Sequence, residues 1–185
     1  MKFDEIKNED LDSIDLLSLS DKIKSDEYKR YFLSRSGMEH YRLLSFISQT
    51  NNNIQILDIG TLKGCSALAL SINSSNKVFS FDLSYSFDLS EIPENTEFII
   101  DNILQEKYKD IILNSNYILL DTFHDGTFEL EFLNYLSNIK YTGILLLDDI
   151  YLNNEMRSFW DGIQLNKKDL THLGHSTGTG VVFFE

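Results

Sequence analysis

Six side chains carry most of the chemistry open to this sequence: Asp58, Asp82, Asp121, His124, Asp148 and Asp149. Each acid ends or interrupts a short apolar run, Asp58 in ILDI, Asp82 after KVFSF, Asp121 after NYILL, and Asp148-Asp149 after GILLL. Continuous apolar runs of this length read as strands buried on both faces. The acids therefore stand at strand carboxyl ends, where open α/β sheets bind their ligands. Charges of one sign gathered there repel one another, and cations must answer them. If the first, fourth and fifth strands are neighbours, Asp121 and Asp148 end about 5 Å apart, close enough to share a divalent ion. Carboxylates without a nearby cysteine favour a hard cation, Mg²⁺ first, with Mn²⁺ or Ca²⁺ as alternatives. His124 follows Asp121 by three residues on the loop leaving the strand. A neutral imidazole, with an ordinary pKa of about 6.5, can accept a proton there. The plainer readings are a solvated loop with a helix cap for Asp148-Asp149 and a backbone-bonded loop histidine for His124.

A second group of residues surrounds a glycine turn. Ile54 to Leu70, IQILDIGTLKGCSALAL, reads as a strand, a turn bracketed by Gly60 and Gly64, and a helix beginning at Ser66. Such a unit is a cradle for a nucleoside-containing cofactor. A dinucleotide fingerprint needs G-x-G-x-x-G to wrap amides around a pyrophosphate. Here the pattern is D-x-G-x-x-x-G, with an acid two residues before the first glycine, which suits a ligand carrying an ammonium group rather than a phosphate. Asp82 stands 22 residues beyond Gly60, near the distance of about 20 at which an acid meets ribose hydroxyls in doubly wound sheets. The same residue fits a helix cap, and the two roles are compatible.

LDIGTLKGCSALALS resembles motif I of the class I S-adenosylmethionine-dependent methyltransferases, closest to the small metal-dependent O-methyltransferases. Asp121-x-x-His124, a helix, then a strand ending in Asp148-Asp149 is similar to the arrangement in macrocin O-methyltransferase-like enzymes. Catechol-type enzymes carry lysine and Asp-Asn at these places. The likeness spans residues 37 to 184. It implies a Rossmann-like, doubly wound α/β fold: a mostly parallel seven-stranded sheet with an antiparallel C-terminal hairpin strand and helices on both faces. It implies that Asp58, Gly60, Thr61, Gly64 and Ser66 hold the methionine end of S-adenosyl-L-methionine, Asp82 the ribose, and Asp101 or Asn102 the adenine, with Asp121 beside the cofactor. Asp121, Asp148 and Asp149 are then ligands of Mg²⁺ or another hard divalent cation, and His124 is the general base. The expected reaction is methyl transfer to a hydroxyl of a sugar- or phenol-like small molecule. The rivals are a metal-independent enzyme of the same fold, a non-catalytic binding module and a nicotinamide-dependent oxidoreductase. Lys140-Tyr141-Thr142-Gly143 departs from the relatives, which have Pro-Gly-Gly before the fifth strand.

These groups need a scaffold, and the rest of the chain supplies one. Strands are expected at Ile54 to Ile59, Lys77 to Phe81, Glu97 to Ile100, Asn116 to Leu120, Gly143 to Leu147, Leu170 to His175 and Val181 to Phe184. Helices are expected at Met38 to Ser48, from Ser66, at Ile103 to Leu113, Thr127 to Ser137 and Glu155 to Ile163, with a short one between Leu83 and Asn95. Residues 1 to 36 form an acidic helical arm, either solvated or a lid, before a domain spanning 37 to 185. His40 reads as a surface or packing histidine, and His172 and His175 carry no assigned role. Met156, Phe159 and Trp160 fit a core better than a substrate pocket.

A chain of 185 residues suits one domain. A net charge of -13 argues against a nucleic-acid partner, because phosphate binding needs clustered Lys and Arg. A small acceptor and a homodimeric copy are the partners that remain. The lone Cys65 excludes an internal disulfide and reads as a small buried residue. The acidic start MKFDEIKNED is no signal peptide, and the apolar runs are too short for a membrane span, so the cytoplasm is the expected location.

Overall fold

Alternation along each strand decides which layer a side chain joins. On the first strand Ile56 packs with one core and Leu57 and Ile59 with another, so the strand is buried on both faces. The structure, a computed structural model, describes residues 2–84 and 86–185, and the backbone only of residues 35–38. Its strands are β1 (Gln55–Ile59), β2 (Lys77–Asp82), β3 (Thr96–Ile100), β4 (Tyr117–Leu120), β5 (Gly143–Leu147), β6 (Lys167–Asp169) and β7 (Gly180–Phe184). They form one seven-stranded sheet in the order β3-β2-β1-β4-β5-β7-β6. The first five are parallel, and β7 runs antiparallel between β5 and β6. The fold expected from the sequence is the fold observed.

The helices are α1 (Asn8–Asp12), α2 (Leu16–Ser20), α3 (Asp26–Phe32), α4 (Arg35–Thr50), α5 (Cys65–Leu70), α6 (Lys109–Asn114), α7 (Thr127–Asn138) and α8 (Asn154–Gly162). Side chains of α1 to α5 pack on one sheet face with Ile56, Val78, Leu119 and Leu146. Those of α6, α7 and α8 pack on the other with Leu57, Phe81, Ile118 and Leu145. Met156, Phe159 and Trp160 belong to this second core. No helix among the described residues is long and apolar enough to cross a membrane.

Three expected elements differ. The Ile103 to Leu113 helix starts late, with a 3-10 turn at Glu106–Tyr108 before α6, because the Asn102 side chain accepts the Leu104 N–H at 2.9 Å and offers the backbone a turn instead. The strand expected at Leu170 to His175 is a 3-10 turn, Thr171–Leu173, and the edge strand lies earlier at Lys167–Asp169. Leu170 and Leu173, both buried, are three apart, the 3-10 repeat, and Asp169 caps the turn through the Thr171 N–H at 2.7 Å. Between Leu83 and Asn95 no helix forms among the described residues. Leu89 instead bridges Ile23, and the Asp88 carbonyl and carboxylate accept from the backbone of Lys24 and Ser25.

That last contact ties down the N-terminal segment. Asp15 and Ser25 cap α2 and α3, and Phe3, Leu11, Leu16, Leu19 and Phe32 are buried in the same core as α4. Leu11, Ile14, Leu16 and Leu19 of this segment are covered, while Leu17 and Tyr31 stay exposed.

Candidate active site

The parallel strands converge on a cavity of about 730 Å³ at their carboxyl ends, a size within the roughly 300–1,000 Å³ of small-molecule sites. Gly60, Thr61, Ser66, Asp82, Asp101, Asn102, Asp121, His124, Asp148 and Asp149 all line it. A second hollow, of about 940 Å³ between α7 and α8, is lined by residues such as Asn134, Tyr135 and Ser158 and by none of the strand-end acids.

The glycine turn is built by close approach. Gly60 has φ +94°, and a Cβ there would lie 1.7 Å from the Asp121 carbonyl oxygen, so only glycine lets the turn after β1 pass the end of β4. Gly64, at φ +88°, caps α5. Asp58 is not among the lining residues. Its register partner on β2 is Ser80, and parity places both side chains on the α5 side. Asp58 Oδ2 accepts from Ser80 Oγ at 2.7 Å and Ser66 Oγ at 3.1 Å, while Oδ1 has no partner among the described residues. Burial pushes this carboxyl up to about 6, against the lowering effect of the Ser80, Ser66 and Thr61 hydroxyls. Asp58 thus braces the turn from behind.

Asp82 is held by backbone donors, and Asp101 by backbone and side chains together. Asp82 accepts the Leu62 N–H at 2.8 Å and the Ser84 N–H at 3.0 Å, one on each oxygen. Asp101 accepts the Asn102 N–H at 2.8 Å and the Tyr108 hydroxyl at 2.8 Å, and pairs with Lys107 at 2.7 Å. The Lys107 ammonium and Tyr108 hold its carboxyl down to about 2. Cys65, also on the wall, is pushed up to about 12 by burial, which keeps its thiol protonated.

The acid and imidazole cluster occupies the other end. His124 Nε2 lies 3.4 Å from Asp121 Oδ1 and 3.9 Å from Asp149 Oδ2. One donor atom from each of Asp121, His124 and Asp148 falls within 4.8 Å of the others. His124 has φ +55° and Asp149 φ +57°, a conformation that costs non-glycine residues about 1–2 kcal/mol. Buried Glu129 holds the strained loop by accepting the His124 N–H and the Thr122 hydroxyl, both at 3.0 Å, and Asn153 donates to the His124 carbonyl at 2.7 Å. Burial and then the Asp148 charge push the Asp121 carboxyl well above the carboxylate range. Burial would raise Asp148 too, but the imidazoles of His40, His175 and His124 override it and hold the carboxyl low. His124 Nε2 and Asp148 Oδ1 are buried without a hydrogen-bond partner among the described residues. The carboxylate oxygen fits a cation, and the ring nitrogen is open to accept a proton.

By sequence the chain matches no protein-family model and no curated protein. By structure it is similar to the methyltransferase PaMTH1 of Podospora anserina bound to SAH, with a TM-score of 0.65 and 15% identity over 92% of this chain and 87% of that one. It is also similar to TomG of Streptomyces achromogenes, an O-methyltransferase in tomaymycin synthesis in complex with SAM, with a TM-score of 0.59 and 15% identity over 97% and 100% of the two chains. An O-methyltransferase from Bacillus cereus in complex with SAH gives a TM-score of 0.56 and 14% identity over 97% and 92%. This chain has the methyltransferase fold. At these identities the likeness concerns architecture, and the residues must speak for the chemistry.

Two groups at the site were not foreseen. His40, read as a surface or packing histidine, lies on α4 with its Nδ1 3.2 Å from Asp148 Oδ1, and His175 Nδ1 is 3.3 Å from the same oxygen. Tyr28 and Tyr31 of α3, with Tyr41 of α4, form an aromatic wall of the cavity. Their only sequence signal is a loose aromatic spacing before a helix, which names no partner.

Proposed function

We propose that the chain is an S-adenosylmethionine-dependent O-methyltransferase that acts on a hydroxyl of a small molecule with the help of a divalent cation. The observation that carries this reading is the meeting of Asp121, His124 and Asp148 at one end of a cavity whose other end holds the Gly60 turn, Asp82 and Asp101. Architecture shared with SAM- and SAH-bound methyltransferases supports it.

When bound, the donor supplies an electrophilic sulfonium methyl and departs as a neutral thioether. Asp121, Asp148 and Asp149 would hold a divalent ion, which would supply positive charge favouring loss of the acceptor proton. The remaining work belongs to the chain. The turn from Gly60 to Gly64, Thr61 and Ser66 receive the methionine end, with Asp58 bracing the turn. Asp82 keeps lone pairs for ribose hydroxyls after its two backbone bonds, and Asp101 or Asn102 meets the adenine. His124 takes the acceptor hydroxyl proton on Nε2, with Asp121 Oδ1 3.4 Å and Asp149 Oδ2 3.9 Å from that nitrogen. The oxygen lone pair forms the new O–CH₃ bond as the S–CH₃ bond breaks. Phe123, 72% exposed beside His124, and exposed Leu62 and Leu83 give the mouth an apolar rim for the acceptor.

The test is methyl transfer from labelled donor to a panel of phenols and sugars, with and without chelator. His124→Ala should lower kcat about 10²–10⁴-fold with cofactor affinity unchanged, and Asp121→Asn should abolish the metal dependence of turnover. Full activity in excess chelator would remove the metal from the mechanism. An unchanged rate in His124→Ala would remove the base.

A further inference from the structure

His40, Asp148 and His175 come from three separate elements and converge on one carboxylate oxygen. His40 is only 6% exposed, and neither of its ring nitrogens has a hydrogen-bond partner among the described residues. Its Nδ1 and that of His175 approach one carboxylate oxygen, Asp148 Oδ1, at 3.2 and 3.3 Å, and Thr179 Oγ1 lies 3.4 Å from the same His175 nitrogen. The two rings lie 5.3 Å apart, centre to centre. One donor atom from each of the three residues falls within 4.8 Å of the other two. Two nitrogens and a carboxylate oxygen that converge this closely, with the buried His40 ring making no hydrogen bond of good geometry, suit an ion among them.

The backbone is arranged to bring His175 there. Gly174 has φ +117°, and a Cβ on it would lie 2.5 Å from Glu39 Cγ, so the loop seats directly against α4 beside His40. The loop is also tied to the segment after β5, where Ile150 and Tyr151 donate their N–H groups to the Gly178 and Thr177 carbonyls at 3.2 and 2.8 Å. Thr177 Oγ1 lies 3.5 Å from His175 Nε2, the nitrogen that faces away from Asp148 Oδ1, and serves as an outer partner that orients the ring.

We propose that His40, Asp148 and His175 form a site for a first-row transition-metal ion of the zinc class. Two imidazoles with one carboxylate suit Zn²⁺, Co²⁺ or Fe²⁺, whereas Mg²⁺ and Ca²⁺ take oxygen ligands. Asp148 is the member that reaches the cavity, so the site adjoins the carboxylate set proposed for catalysis and shares one residue with it. The inference needs no donor, acceptor or turnover, and its failure is therefore distinct from failure of the methyltransferase reading.

The experiment is calorimetric titration of the full chain with Zn²⁺ alone, paired with proton NMR in water of the Co²⁺-loaded chain. The expected result is tight Zn²⁺ binding and two exchangeable, hyperfine-shifted imidazole N–H signals, one lost in His40→Ala and one in His175→Ala. Each variant should lose at least about tenfold in Zn²⁺ affinity, since loss of an outer partner alone costs 10–100-fold. Asp121→Asn, which removes a carboxylate of the catalytic set, should keep both signals. His40→Gln and His175→Gln retain side-chain volume, and unchanged circular dichroism in them separates loss of a ligand from loss of fold. Unchanged Zn²⁺ affinity in the folded histidine variants, or a Co²⁺ spectrum without imidazole signals, would overturn the proposal and leave His40 and Asp148 as an ion pair.

Discussion

Asp58→Asn tests how the fold tolerates a buried acid behind the cofactor turn. Raising this carboxyl from its ordinary 3.8 to about 6 means that ionising it in the folded chain costs about 3 kcal/mol at neutral pH and above, at 1.36 kcal/mol per pH unit. The sign follows from which state holds the proton. Between pH 4 and 6 the unfolded chain ionises first while the folded chain stays protonated, so this residue's contribution to stability falls as pH rises and is fully lost above about 6. Asparagine removes the charge and keeps one oxygen for Ser66 and Ser80. Its N–H₂ then occupies the place of the unpartnered Oδ1, and an unpaired buried donor costs about 1–3 kcal/mol. The net gain at pH 8 is about 0–2 kcal/mol, which for a chain of this size raises Tm by up to about 8 °C. Scanning calorimetry of both proteins without cofactor, at pH 4 and pH 8, reads this directly. The variant should be the more stable at pH 8, and the difference should vanish or reverse at pH 4. A variant destabilised equally at both pH values would refute the reasoning, because the carboxylate would then be paired rather than tolerated. Cofactor affinity should fall in the same variant, the usual exchange of stability for function at a site.

Gly60→Ala should cost more than about 4 kcal/mol, because its Cβ meets the Asp121 carbonyl oxygen at 1.7 Å; denaturant midpoints measure it, and a loss under 1 kcal/mol would mean the turn can move away. Asp82→Ala should weaken cofactor binding about 10–150-fold, the range for hydrogen bonds to a charged group, and calorimetry with S-adenosylhomocysteine checks it. Glu129→Gln keeps an acceptor for the His124 N–H and should retain most activity, while Glu129→Ala frees the strained loop and should lower kcat with little change in cofactor affinity.

The sequence carries the fold most plainly where information is local. GILLL marks β5 at both its ends, and the strands expected from Ile54 and Asn116 begin one residue before the observed β1 and β4. Strand-end acids were legible because each sits against its own strand, and Asp-x-x-His because its two members are three residues apart. What failed depends on packing between distant segments. The turn at Thr171–Leu173 carries the apolar, β-favouring pattern of a strand, and only the Asp169 cap and the fit of Leu170 and Leu173 decide otherwise. His40 and His175 belong to a helix and a loop with no shared spacing, and they meet only because Gly174 lets that loop rest on α4. Tyr28 and Tyr31 reach the cavity because Ser25 and Lys24 are bonded to Asp88, 63 or more residues along the chain.

Titration of the unmodified chain with S-adenosylhomocysteine, set against the same titration with NAD, examines most directly the claim that the strand-end cavity holds a sulfonium donor. The account predicts one equivalent of S-adenosylhomocysteine bound, displaced by S-adenosylmethionine, with no heat from NAD. No binding of S-adenosylhomocysteine, or preferential binding of NAD, would contradict it.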